Sequence, residues 1–364
     1  MKGLTEPTLL LDETKCRINI QSSVDKARAN NLIFRPHFKT HQSHTIGRWY
    51  RDAGVDKITV SSLKMAEYFA LDGWQDITVA FPLNVPEIDR IRKLSRAVRL
   101  NLLLVSEEPL DRLAAQLDTE VNFFLEIDNG YHRTGVNPED FQTIDKILDR
   151  VQKHPLFRFS GFLSHAGHSY KVVSDKNQLL KIHEDSIKSM MPLRDRYARQ
   201  YPDLVLSTGD TPTFSVATDF TGIDEVRPGN GVFYDLAQHK IGSCGLDQIA
   251  VAMACPVVAK YPDRQEIIIY GGGVHFSKDF STFPDGTPHY GKVVKLHEAG
   301  WDIGETGLYI KSLSQEHGIV HAPKAIAEQV GIGDFLCVLP VHSCLTSDAM
   351  RAYVTLGGET ISRL

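Results

Sequence analysis

The run Arg35-Pro-His-Phe-Lys-Thr-His41 sets one lysine among two histidines and an arginine. Like charges and partial burial both depress an amine's pKa and make Lys39 a better nucleophile, able to form a Schiff base. The plainer alternative is a surface lysine in a basic loop. Two further stretches suit an anion. Thr208, Gly209, Asp210 and Thr211 offer a flexible backbone and hydroxyls, and Pro212 can begin a helix whose free N–H groups face a phosphate. Arg227-Pro-Gly-Asn-Gly231 adds backbone donors at Gly229 and Asn230. Asp210 is a carboxylate, better suited to capping that helix than to touching the anion. Both stretches could equally be ordinary strand-to-helix turns, which use the same residue types. A Schiff-base lysine together with a phosphate site points to pyridoxal 5'-phosphate.

His342-Ser-Cys344 follows an apolar run and Pro340. In an extended segment, residues at i and i+2 face the same side, so both could reach one ion. Imidazole and thiolate suit zinc, with manganese or magnesium as alternatives, and positions stay open for water or a substrate hydroxyl. A chance His-x-Cys is the competing reading. Cys337 lies inside the apolar run, and Cys16, Cys244 and Cys255 lack partners at metal spacing, so all four read as buried thiols. His154, His183 and His239 suit solvated or capping roles. His317, in Leu313-Ser-Gln-Glu-His-Gly318, belongs either to a plain turn or to a site.

Short β-branched or apolar runs that could position these groups occur at 32–35, 57–60, 76–80, 100–105, 121–127, 159–163, 204–207 and 225–227. Amphipathic patterns at 43–53, 63–72, 86–97, 107–116, 138–153 and 174–200 fill the gaps between them. Eight strands with intervening helices match a (β/α)8 TIM barrel, expected over 8–240. A doubly wound sheet would want a glycine-rich turn after its first strand, and 35–41 has no glycine. In a barrel, function sits beyond the C-terminal strand ends. Those positions hold Ser61 and Ser62; Asp128, His132 and Arg133; and His165, His168 and Tyr170. From 241 to 364 the pattern turns mostly β, with glycine-rich turns, and residues 1–7 are expected to pack with that domain.

The chain has 364 residues, with 40 Lys and Arg against 45 Asp and Glu. The resulting net charge of −5 leaves no basic stripe for nucleic acid. No apolar run is long enough to span a bilayer. The N-terminus lacks a signal peptide's order of segments, and five scattered cysteines are not a disulfide framework, so a reducing cytoplasm is expected.

With Glu6-Pro-Thr-Leu-Leu10, the segments 35–41, 161–170, 227–235, 313–318 and 340–344 together resemble the fold-type III pyridoxal-phosphate enzymes. The resemblance is to the D-threonine aldolase and D-serine dehydratase group, related to alanine racemase, and it spans nearly the whole chain. It implies an alanine racemase-like barrel plus a C-terminal β domain, usually a homodimer. It carries Lys39 over as the Schiff-base lysine, and Arg133 and Tyr170 as contacts of the cofactor ring. Thr208, Gly209, Asp210 and Thr211, with Gly229 and Asn230 opposite, would hold the phosphate, and His342 and Cys344 the metal. Two segments, 271–279 and 282–292, match no motif.

The activity so implied is that of a metal-assisted lyase on D-amino acids with a 3-hydroxyl, with no nucleic-acid or membrane partner. The substrate's amino group displaces Lys39. Polarising the 3-hydroxyl as a leaving group gives dehydration to a 2-oxo acid and ammonia; removing its proton instead gives glycine and an aldehyde. His165 and His168 are candidate bases. The competing readings are a metal-independent racemase of the alanine racemase type, which leaves His342-Ser-Cys344 unexplained, and a cofactor carrier without turnover, which needs no β domain.

Overall fold

Strand Thr8–Leu11 (β1) hydrogen-bonds antiparallel to Val251–Tyr261 and parallel to Ala352–Thr355, which ties the start of the chain to its end. The computed structural model describes residues 4–297, 300–304 and 306–364. It divides into one unit of Ser22–Gly229 and a second in which the described residues up to Gln21 join Asn230–Leu364. These limits differ from the expected 8–240 and 241–364. Main-chain pairing claims β1 for the second unit, and there Asn230 Nδ2 donates to Asp235, which also accepts from Ser343 N. The β1 pairings and the Ser343–Asp235 bond join residues far apart in the chain and leave no local pattern in the sequence.

Within Ser22–Gly229, eight described strands run parallel: Ile33–Phe34 (β2), Lys57–Val60 (β3), Asp76–Pro82 (β4), Arg99–Leu104 (β5), Val121–Ile127 (β6), Phe157–Ser164 (β7), Val205–Thr208 (β8) and Glu225–Val226 (β9). Their order is β2-β9-β8-β7-β6-β5-β4-β3. The remaining seam is spanned by a bridge between His37 and Thr59, where Phe38 N donates to Thr59 O at 2.8 Å and Thr59 N to Pro36 O at 2.9 Å. The result is the nearly closed eight-stranded barrel that the alternation of strands and helices predicts.

Each crossover helix has a reason in the sequence. In Phe141–Lys153, Ile144, Ile147, Leu148 and Val151 recur at helical spacing and are buried, while the Asp140 side chain caps the first turn by accepting from Thr143 N at 3.0 Å. Every residue of β6 is buried, and Leu103, Phe124 and Leu163 pack as one layer of the barrel interior. Burying each such side chain contributes about 1.5–3 kcal/mol. A polar layer lies within the same barrel. Arg35 donates to Glu225 (2.7 Å) and Asp76 (2.6 Å), Asn101 also donates to Asp76 (2.8 Å), and Ser207 donates to Glu225 (2.7 Å).

The second unit is mostly β, as expected. After β10 (Val251–Tyr261) come Glu266–Tyr270 (β11), Ser281–Thr282 (β12), Pro288–His289 (β13), Gly291–His297 (β14), Gly300–Asp302 (β15), Tyr309–Leu313 (β16), His317–His321 (β17), Phe335–Pro340 (β18), Ala352–Thr355 (β19) and Thr360–Ser362 (β20). The main sheet follows β11-β17-β16-β14-β18-β10-β1-β19-β20. Leu10, Ile249, Ala252, Val294, Trp301 and Leu339 form much of its core. Cys16, Cys255 and Cys337 are buried free thiols, and burial pushes Cys337 up to about 12, so these are inert core residues.

Candidate active site

Lys39 projects from the turn that follows β2. Phe38 beside it is fully buried, its ring 4.9–5.1 Å from those of Tyr50, Phe69 and Trp74. With Phe38 anchored inward, the next residue faces outward, and Lys39 is exposed. Its backbone N–H donates to His37 Nδ1 at 3.3 Å, and Gln42 Nε2 donates to its carbonyl at 3.0 Å. Arg35, expected to crowd the lysine, is instead buried in the barrel's polar layer and paired with Glu225 and Asp76. The cause is alternation: Arg35 continues the strand with its side chain in the barrel, where two carboxylates compensate the charge.

Two imidazoles share the lysine's surroundings. Burial, then the charges of Lys39, Arg227, His165 and Arg133, hold His37 well below the usual histidine range. Burial likewise pulls His165 down to about 3; Lys39, Arg133 and Arg227 add to this, and a hydrogen bond to Gly209 opposes it. Both rings are neutral at physiological pH. His165 Nδ1 meets the Gly209 carbonyl, an acceptor, so this nitrogen carries the proton and Nε2 the lone pair.

That contact orients the anion loop. Carbonyl and N–H of one peptide group point in opposite directions, so pinning Gly209 O on His165 turns the Asp210 N–H the other way. Among the described residues neither Gly209 N–H nor Asp210 N–H has a partner. Gly229 N–H, from the Arg227-Pro-Gly turn, lies 3.3 Å from Thr211 Oγ1. Asp210 itself caps the helix Thr211–Val216, accepting from Thr213 N (2.7 Å), Thr213 Oγ1 (2.7 Å) and Ser169 Oγ (3.0 Å). Its side chain therefore faces the helix, and what it offers an anion is its backbone. Buried, partnerless backbone donors beside cationic side chains fit a phosphate ester.

Tyr170 adjoins the same loop, its hydroxyl accepting from Thr211 N at 3.3 Å and its ring 6.2 Å from His165. Arg133 is exposed, with its guanidinium 5.3 Å from the Tyr131 ring, which packs edge-on to His165. His168 lies in the turn Gly167–Lys171; burial lowers its pKa, against the opposing charges of Asp210 and Asp128. Lys39, Arg133, His165, His168 and Tyr170 thus all lie beyond the C-terminal ends of barrel strands, and Thr208–Thr211 run from the last residue of β8 into the helix that follows it.

Arg227 escaped the sequence reading as a functional residue, although it stands at the end of the last strand. It is buried, donates to Ser207 Oγ at 2.7 Å and to Ser164 O at 2.5 Å, and burial pulls its pKa down to about 10. A Cβ on Gly209 would come within 2.8 Å of its Nη1, which explains why position 209 is glycine.

Asn230, His342 and Cys344 lie in the second unit. Asn230 Nδ2 donates to Asp235 at 2.7 Å, and Ser343 Oγ donates to Asn230 Oδ1 at 3.2 Å, so its side chain is committed to structure there. His342 and Cys344 do not sit on an extended segment as expected. His342 is the N-cap of the helix Ser343–Ala349, and Cys344 is in its first turn. Asp235 causes the turn by accepting from Ser343 N at 2.9 Å. The two side chains still converge within hydrogen-bonding reach. Burial lowers the His342 pKa, but Cys344, Asp235 and Asp279 outweigh it and raise it to about 10. A convergent imidazole and thiol offer nitrogen and sulfur donors that fit a divalent ion such as zinc.

Comparison with known proteins adds the family. The model described as alanine racemase, N-terminal domain, matches residues 11–236, and that described as putative serine dehydratase domain matches 250–356. A D-threo-3-hydroxyaspartate dehydratase of Delftia sp. is 29% identical over 98% of this chain and 95% of its own length. A D-serine dehydratase of Dictyostelium discoideum is 27% identical over 99% and 95%. The solved Delftia dehydratase superposes with a TM-score of 0.91 at 28% identity, over 100% of this chain and 98% of that one. Also similar are a cysteine-to-alanine variant of that enzyme in the metal-free form and a histidine-to-alanine variant, with their substitutions two positions apart.

Proposed function

Since the chain belongs to the fold-type III pyridoxal-phosphate enzymes of the D-serine dehydratase and D-threonine aldolase group, we propose that it dehydrates a D-3-hydroxy amino acid to a 2-oxo acid and ammonia. The coarser statement, a pyridoxal-phosphate-dependent lyase on D-hydroxy amino acids, is common to its relatives. The observation that carries the finer one is the convergence of His342 and Cys344 at the start of one helix. It has the two-position spacing of the substitutions in the Delftia dehydratase variants.

Pyridoxal phosphate, when bound, supplies an electron sink for the pair released at Cα, and a divalent ion supplies a Lewis acid for the 3-hydroxyl. Lys39 would hold the cofactor by its aldehyde carbon, and its Nζ would be the group that takes the Cα proton. Gly209, Asp210 and Gly229 offer backbone N–H groups to the phosphate, Thr208 and Thr211 their hydroxyls, and Asn230 adjoins that turn in sequence. Tyr170 and Arg133 would contact the cofactor's ring. His165, pinned to Gly209 through Nδ1, positions the anion loop and keeps its Nε2 lone pair. His165 and His168 are the candidates for proton transfer near the hydroxyl. His342 and Cys344 hold the ion; nitrogen and sulfur donors favour zinc over manganese or magnesium.

The active form is taken to be a homodimer, on the family likeness. The location is taken to be the cytoplasm, supported by five free cysteines. No described helix is long and apolar enough to cross a membrane.

The test supplies the purified holoenzyme with D-serine or D-threo-3-hydroxyaspartate and quantifies products. Equal amounts of 2-oxo acid and ammonia support dehydration. Glycine with an aldehyde would make it an aldolase, and inversion at Cα alone a racemase.

A further inference from the structure

We propose that Asp279 is the positioning residue of the metal pair, accepting a hydrogen bond from His342 Nδ1 so that Nε2 is left to bind the ion. The proposal rests on the reading that His342 and Cys344 hold a divalent metal. Asp279 Oδ2 lies 2.6 Å from His342 Nδ1. A metal-binding imidazole has two nitrogens and can offer the ion only the one without a proton. A carboxylate on the other nitrogen fixes both the tautomer and the ring plane.

The chain leading to Asp279 is built around this contact, and it accounts for two stretches that sequence reading left open. After β11, Gly271 N donates to Glu316 O (2.9 Å), Gly273 N to Ser314 O (2.8 Å) and Val274 N to Gln315 O (3.2 Å). The glycine run therefore rides directly on the turn Leu313-Ser-Gln-Glu-His-Gly318. A Cβ on Gly272 would lie 2.3 Å from Gln315 O, and one on Gly318 would lie 2.6 Å from Gly271 O. Both obstacles are backbone atoms, so neither position tolerates a side chain without displacing the segment.

The run continues into the short helix Gly273–Phe276. The Phe276 carbonyl accepts from Thr346 Oγ1 at 3.0 Å, on the same helix that begins with Ser343 and Cys344. Ser277 then adopts φ +68°, an uncommon conformation for a residue with a side chain, and its Oγ accepts from Asp279 N at 3.2 Å. The backbone thus leaves one tether to the Ser343–Ala349 helix, reverses at Ser277 and returns with Asp279 on His342. The side chains of His342 and Asp279 are 36% and 46% exposed. A half-exposed pair contributes little to stability and does not account for a strained residue and a glycine track. Orienting a ligand does.

The experiment strips the full-length protein of metal, reloads it with Co(II) or Zn(II), and measures affinity by competition with a chromophoric chelator. The samples are wild type, Asp279→Ala, Asp279→Asn and Cys344→Ala. Asp279→Ala is expected to weaken binding about 10- to 100-fold, while the thiolate-to-Co(II) charge-transfer band of the loaded protein persists. Asp279→Asn, whose Oδ1 still accepts from Nδ1, is expected to recover most of the affinity. The half-exposed position makes both variants compatible with folding. Unchanged affinity in Asp279→Ala, with affinity lost in Cys344→Ala, overturns the role of Asp279 and leaves the metal reading intact. Unchanged affinity in Cys344→Ala overturns the metal reading itself. Failure of Asp279→Asn to rescue also overturns the proposal, because the carboxylate would then act by charge or as a ligand.

Discussion

Arg35 and Glu225 pair inside the barrel, Nε to Oε2 at 2.7 Å, with side chains only 5% and 1% exposed. Burial opposes the arginine's charge, but Glu225 and Asp76 outweigh it and push its pKa up. Breaking a buried pair outright costs about 3–5 kcal/mol, and here Asp76 still faces Arg35 when Glu225 is lost. Glu225→Gln is therefore expected to lower the unfolding free energy in urea by less than that, about 1–3 kcal/mol. A midpoint unmoved from wild type would show that the pair is not structural.

His165 is expected to act on the cofactor's phosphate through the peptide it holds. His165→Ala frees the Gly209 carbonyl and loses the aim of the Asp210 N–H. Losing one positioned hydrogen bond weakens pyridoxal phosphate binding about tenfold. Pyridoxal, which lacks the phosphate, should bind both proteins alike. His165→Asn, whose side-chain amide can donate to the same carbonyl, should sit between. Equal losses for the two cofactor forms would contradict the assignment.

The same histidine makes folding sensitive to acid. Its pKa falls from the unfolded 6.5 to about 3 in the native barrel, so between those values the unfolded chain binds more protons. Stability is then full above pH 6.5 and is lost progressively as pH falls toward 3. At pH 5 the loss from this group is about 2 kcal/mol. His37, held well below its usual range, acts in the same sense. Stability measured in urea at pH 7.5 and pH 5 should show the drop, and His165→Asn should make it shallower. Equal slopes for both proteins would mean that His165 is not buried neutral.

The barrel was legible because its signals are local. Strands at 57–60 and 121–127 match the observed β3 and β6 residue for residue, since a continuous apolar or β-branched run reports a buried parallel strand. The helix Glu13–Ala29 was not legible. Its buried stripe is Cys16, Ile20, Val24 and Ala27, two of them small, and Ile18 faces outward at 58% exposure, which blurs the period. Most of β12–β20 was missed because most of these strands have two to five residues, too few to show alternation, and the seven-residue β14 breaks it with adjacent Val293 and Val294 both buried. Lys39, the glycine turns and the His-x-Cys pair stood out in the sequence by residue type and spacing. Asp279 could not, because its partner is 63 positions away and only the folded sheet brings the two together. Arg35 shows the opposite limit: charge and proximity in sequence suggested a neighbour for Lys39, and strand alternation sent it into the barrel.

Whether Lys39 carries the cofactor is read by reducing the purified holoenzyme with borohydride and mapping its tryptic peptides. A pyridoxyl group is expected on the peptide containing Lys39, and no such adduct in Lys39→Ala. A modification found on another lysine, or an unmodified Lys39 in protein saturated with pyridoxal phosphate, would contradict it.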